Sequence, residues 1–81
     1  MQKFYVYLVR CSDDTLYCGY STNVEARERA HNEGKGAKYT RARLPVRVVY
    51  SEEFATRSEA QQREYAIKKL TRKEKEELIE G

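Results

Sequence analysis

Cysteine, histidine and proline are scarce in this 81-residue chain, which has two, one and one of them. Two cysteines cannot build the disulfide framework of a small secreted domain. Neither forms a pair with Cys or His at metal-ligand spacing, so a zinc site is excluded as well. A reducing cytoplasm is the simplest setting for such a chain. Long apolar runs are also missing: none approaches the roughly 20 residues that cross a bilayer. The apolar stretch within "MQKFYVYLVRCSDD" is too short for a signal peptide, so a soluble, cytoplasmic protein with no membrane partner is expected. There is no internal repeat and no low-complexity segment. The length leaves room for one domain, residues 1–81, with one small core.

Charge, by contrast, is abundant. Charged residues are 36% of the chain and apolar ones 40%, enough Val, Ile, Leu, Phe and Tyr for a folded core under a densely charged surface. The net charge is only +3, but the segment "GKGAKYTRARLPVR" contains Lys35, Lys38, Arg41, Arg43 and Arg47 and no acid. Basic charge concentrated in this way suits a polyanion. The acids gather in "SEE" and in "KEKEELIE", where alternating signs describe a solvated helix face.

Phe4 to Cys11 and Thr15 to Ser21 are rich in β-branched and aromatic residues and flank "SDD", which predicts a β-hairpin. With a three-residue loop, position 7 faces 19 and position 9 faces 17, so residues of one parity share a face. Phe4, Val6, Leu8, Leu16, Cys18 and Tyr20 then form the core face. Tyr5, Tyr7, Val9, Thr15, Tyr17, Gly19 and Ser21 form a second, hydroxyl-rich surface, with Gly19 leaving room beside it. Cys11 and Cys18 fall on opposite faces, as one surface and one core thiol. Thr22 with Glu25 fits a capping box for a helix from about Asn23 to Glu33, stopped by Gly34 and docked through Val24, Ala26 and Ala30. A short helix is expected within 37–43. Pro45 marks a break, and Val46 to Phe54 reads as a third strand. Ser58 with Gln61 opens another helix whose stripe is Ala60, Ile67 and Leu70, and Thr71 with Glu74 caps a last one over 72–80. The class is α/β (α+β): a small three-stranded, mainly antiparallel sheet with helices on its faces.

Several side chains could do chemistry. Arg27 and His31 are four apart and project on one side of their helix, as a site or as a solvated face. Glu64 lies on the apolar stripe, either at the edge of the core, in a pocket, or paired at the surface with Lys68. Lys35, Lys38, Tyr39, Thr40, Arg41 and Arg43, beside Gly34 and Gly36, could contact a phosphate backbone.

"YVYLV" followed by "YCG", then Arg27 and Glu64, resembles the GIY-YIG nuclease domain over nearly the whole chain, and in particular its small bacterial branch in which that domain stands alone. "GKGAKYTR" and "AIKKL" extend the likeness. Tyr5 stands in place of the first motif glycine and Cys18 in place of the central isoleucine, whereas Tyr7, Tyr17 and Gly19 keep the pattern. The resemblance implies a DNA endonuclease that hydrolyses phosphodiesters with one divalent metal, Mg²⁺ or Mn²⁺, in DNA repair or recombination. It implies a catalytic set of Tyr7, Tyr17, Arg27, His31 and Glu64. These roles suit the chemistry, which needs an activated water, neutralised phosphate charge and help for the leaving oxygen. Glu64 would be the metal ligand, because Mg²⁺ takes hard oxygens and often one carboxylate with several waters. Arg27 would grip the phosphate with its fork. Tyr17 would orient or deprotonate the water, Tyr7 would hold water or phosphate, and His31 would be a neighbouring proton carrier. Some members have an asparagine after the glutamate, where this chain has "KEKEE". Two other readings remain: a nucleic-acid-binding module with weak turnover, and an adaptor that binds a protein partner through its charged last helix.

Overall fold

In the computed structural model, residues 2–81 are described and form a three-stranded antiparallel sheet with four helices. The strands are β1 (Phe4–Arg10), β2 (Leu16–Ser21) and β3 (Arg47–Phe54), in the order β2-β1-β3. The helices are α1 (Val24–Asn32), the single turn α2 (Lys38–Arg41), α3 (Arg57–Lys68) and α4 (Arg72–Glu80). The hairpin has the expected register, with Tyr7 opposite Gly19 and Val9 opposite Tyr17. Its three-residue loop is closed by Asp14 N–H to Cys11 C=O at 2.9 Å, and Asp14 takes φ 70°, a left-handed conformation that aspartate tolerates better than most residues. Asp13 holds the loop by accepting from the backbone N–H and hydroxyl of Thr15.

The two parities of β1 do face opposite ways, but both are covered, and this corrects the expectation of one core and one hydroxyl surface. Val6, Leu8 and Cys18 pack with Ala60 and Ile67 of α3, joined by Leu78 and Ile79 of α4. On the other side Tyr7, Val9, Cys11 and Val46 pack with Tyr17, Val24 and Leu44. A central strand with helices on both sides needs apolar residues on both faces, which is why "VYLV" runs apolar without a break. Cys11 is therefore buried like Cys18, and no surface thiol exists among the described residues.

Two helix starts differ in detail from the sequence pattern. The α1 N-cap is Asn23, whose Oδ1 accepts from Ala26 N–H at 3.0 Å, not Thr22. Its C-terminus does stop at Gly34, with φ 79°, in a Schellman motif: Lys35 N–H reaches Ala30 C=O and Gly34 N–H reaches His31 C=O. For α3 the capping box is Thr56 with Glu59, two residues ahead of the expected pair, whereas Thr71 with Glu74 caps α4 as expected. The Asn32 side chain binds both the N–H and the C=O of Val46, at 2.7 and 2.9 Å, and Glu28 accepts from Val48 N–H at 2.7 Å. Those bonds fix the end of α1 against the start of β3 and so fix the helix that holds Arg27 and His31.

Candidate active site

The centre of the site is a buried hydrogen-bonded chain. Tyr7, on the central strand, is 2% exposed, and His31 of α1 and Thr40 of α2 are each 0% exposed. Tyr7 Oη lies 3.0 Å from His31 Nε2, His31 Nδ1 lies 2.9 Å from Thr40 Oγ1, and the Thr40 hydroxyl donates to Ala37 C=O at 2.8 Å. Two glycines make the close packing possible. A Cβ at Gly19 would fall 2.5 Å from Tyr7 Oη, and one at Gly36 would overlap His31 Nδ1. Burial lowers the His31 pKa, and Arg27 lowers it further, so the imidazole is neutral. Burial raises the Tyr7 pKa, which the Arg27 guanidinium beside the phenol partly offsets. His31 is thus not on a solvated helix face but sealed behind Tyr7, to which its Nε2 is bonded.

Tyr17 is half-buried beside this chain, its ring edge-on to His31 with centroids 5.7 Å apart. Tyr39 stacks on Tyr17 at 5.9 Å, and the Arg43 guanidinium covers Tyr39 at 4.0 Å. Arg43 also donates to Asp13 at 3.0 Å and to Tyr39 C=O at 2.8 Å. Of the six expected nucleic-acid contacts, Lys35, Lys38, Tyr39 and Arg41 are exposed. Arg43 is occupied in bracing Tyr39, and Thr40 is turned inward to His31. The sequence offers no sign of that inward turn, because it depends on a contact made across nine residues. The same holds for Asn32 and Glu28, the clamps on β3. No carboxylate pairs with Arg27 among the described residues, so its guanidinium is free to take an anion.

Glu64 approaches from the opposite face of the sheet. Its backbone C=O lies 3.9 Å from Cys18 Sγ, on edge strand β2 between Tyr17 and Gly19. The carboxylate is 19% exposed and lies 3.3 Å from Lys68 Nζ, so the surface pairing that the spacing allows is present, on a side chain that is mostly covered. No hydrogen bond or ion pair joins Glu64 to Tyr7, Tyr17 or Arg27 among the described residues. No group of three His, Cys, Asp or Glu side chains that could cage a metal occurs among them either. A lone carboxylate with a half-exposed lysine as its counterion fits a hydrated, oxygen-preferring cation that keeps most of its water shell and takes its remaining ligands from a phosphate.

No helix among the described residues is long and apolar enough to cross a membrane. The family model described as "GIY-YIG catalytic domain" matches residues 3–77. A UPF0213 protein of Staphylococcus haemolyticus is 58% identical over 80 residues, covering 99% of this chain and 98% of that one. A UPF0213 protein of Haloquadratum walsbyi is 58% identical over 76 residues, covering 94% of this chain and 85% of that one. Among solved structures, the solution NMR structure of the UPF0213 protein of Bacillus halodurans is similar with a TM-score of 0.62 and 45% identity, covering 96% of this chain and 83% of that one.

Proposed function

The chain belongs to the GIY-YIG catalytic domain family, and from that premise we propose that it hydrolyses phosphodiester bonds in DNA with one divalent cation, Mg²⁺ or Mn²⁺, held by Glu64. The observation that carries the reading is the convergence of Tyr7, Tyr17 and Arg27, which has no carboxylate partner among the described residues, on one face of the sheet around the neutral His31. Arg27 binds the scissile phosphate and offsets the charge that grows on its oxygens, which its planar fork does better than a lysine. Tyr17 orients the attacking water and, as the phenolate that a bound cation and Arg27 would favour, takes its proton, and Tyr7 holds the water or phosphate from the buried side. The cation supplies charge neutralisation at the phosphate when bound. Lys35, Lys38, Tyr39 and Arg41 bind the backbone beyond the cut and set the affinity without reading sequence.

The test is cleavage of a panel of duplex, nicked, branched and single-stranded DNA, with and without Mg²⁺ or Mn²⁺. Metal-dependent cutting of at least one form is expected. Glu64→Ala should bring it to background, and Arg27→Ala should lower it about a hundredfold or more, the usual cost of losing one transition-state donor. Salt-dependent DNA binding with no cutting of any form would instead make this a binding module. DNA affinity that does not fall when Lys35, Lys38 and Arg41 are neutralised would instead favour an adaptor that binds a protein partner through its charged last helix.

A further inference from the structure

The hydrogen-bonded chain behind Tyr7 has only one arrangement of protons that satisfies every group. A carbonyl can only accept, so the Thr40 hydroxyl, 2.8 Å from Ala37 C=O, spends its single proton there. Its oxygen is left to accept, and the group facing it is His31 Nδ1 at 2.9 Å. Nδ1 therefore bears the imidazole proton. Nε2 is then a lone pair, and it accepts from the Tyr7 hydroxyl at 3.0 Å. Arg27, beside that phenol, can only donate, and the Tyr7 oxygen has lone pairs to receive it.

The opposite tautomer fails at Tyr7. With the proton on Nε2, both neighbours of the phenol oxygen would be donors, and the proton of a side chain only 2% exposed would have no acceptor among the described residues. A buried hydroxyl left in that state is costly. No buried side-chain nitrogen or oxygen among the described residues lacks a partner, in keeping with a fully satisfied chain.

We propose that Thr40 is a positioning residue. By accepting from Nδ1–H it locks His31 in one tautomer, which turns the Tyr7 proton inward and leaves only lone pairs of Tyr7 facing the site. Tyr7 then meets a water, or the Arg27 fork, purely as an acceptor. Thr40 touches no substrate, and its influence passes through two side chains that are themselves buried. The assignment also explains why a threonine with basic neighbours, Lys38 and Arg41, faces away from solvent. Its consequence for turnover rests on the nuclease reading above, but the tautomer itself does not.

The experiment is ¹⁵N–¹H correlation of the imidazole nitrogens, which is unambiguous in a chain with one histidine. The wild-type protein should show a protonated Nδ1 and an unprotonated Nε2 at pH 7.5. Thr40→Val keeps the shape and removes the acceptor, and it should shift the proton to Nε2 in part or in full; Thr40→Ser should restore the wild-type pattern. If the chain cuts DNA, Thr40→Val should lower kcat about tenfold with KM within about twofold, and Thr40→Ser should recover it. Wild-type protein with the proton on Nε2, or a Thr40→Val spectrum identical to wild type, would overturn the proposal. A Thr40→Val protein that does not fold leaves the wild-type and Thr40→Ser spectra to decide it. The expected tautomer in a protein that cuts no DNA would sink the nuclease reading and leave this inference standing.

Discussion

Gly36 illustrates how much of the site is decided by single residues. Its backbone lies flat against His31 Nδ1, in the space a Cβ would need, so Gly36→Ala must push the imidazole off Thr40 and Tyr7. Gly34→Ala meets no neighbour within 4 Å and bears only the strain of its φ of 79°. Gly36→Ala should therefore destabilise the protein by about 1–3 kcal/mol, the usual range for overpacking, and disturb the Tyr7 and His31 resonances. Gly34→Ala should cost about 1 kcal/mol and leave those resonances in place. Chemical denaturation and NMR of the two variants check both statements. Gly19 was legible beforehand, because strand register alone puts it opposite Tyr7. The roles of Gly36 and Thr40 were not: among lysines and arginines they read as phosphate contacts, and only the tertiary approach of α1 and α2 turns them into the wall and the anchor of a buried histidine.

At the scale of elements, periodicity and turn chemistry located every strand and helix, and the errors lie at the caps. "STN" offers three residues able to cap α1, and the structure uses the last. For α3, Thr56 and Ser58 both begin a cap-like pattern, "TRSE" and "SEAQ". Thr56 is the extended residue, φ −127°, two positions beyond the end of β3, and its hydroxyl accepts from Glu59 N–H while Glu59 returns to its backbone. Ser58 sits inside the first turn, where its hydroxyl meets only the Gln62 amide at 3.4 Å, in solvent. Thr56→Ala should thus cost about 1 kcal/mol and Ser58→Ala no more than a few tenths, as urea midpoints would show. Equal losses from the two would mean that the helix starts later than described. The hydroxyl surface was misread for a related reason. Alternation in one hairpin reports two faces, but whether the second face meets water depends on a helix that docks through small residues and carries a weak apolar signal of its own.

Across the whole molecule, α4 is held by charge as well as by Leu78 and Ile79. Glu76 receives both terminal nitrogens of Arg10, at 3.0 and 2.7 Å, and Arg72 donates to Glu76 and to Asp14 at 3.1 Å each. This joins the hairpin loop, the end of β1 and the last helix. In the sequence the same residues are an alternating run that reads as solvated, since Arg10 is 66 positions away. Hydrogen bonding to Arg10, with Arg72 adding to it, holds the Glu76 pKa down at about 2, against 4.5 ordinarily. A depressed carboxylate stabilises the fold fully above its unfolded value and loses that contribution as pH falls from about 4.5 towards 2. His31 is depressed too, so the native state resists the proton that an unfolded imidazole takes up near 6.5, and stability drops as pH falls below that value towards the lower folded pKa. Arg27 faces the imidazole and opposes its charging, whereas Tyr7, its pKa raised by burial, stays uncharged at these pH values. Thermal unfolding should therefore weaken in two windows on acidification, first below about 6.5 and again below about 4.5. Glu76→Gln should lower the melting temperature at pH 7 and flatten the second window, in part only, because Asp13, Glu52 and Glu74 are also held below their ordinary values. The single imidazole should titrate below 6.5 in the folded protein. A melting temperature that stays level from pH 7 to 5, with the imidazole titrating at its free value, would mean that His31 is not sealed behind Tyr7, and the buried chain on which the site is built would have to be redrawn.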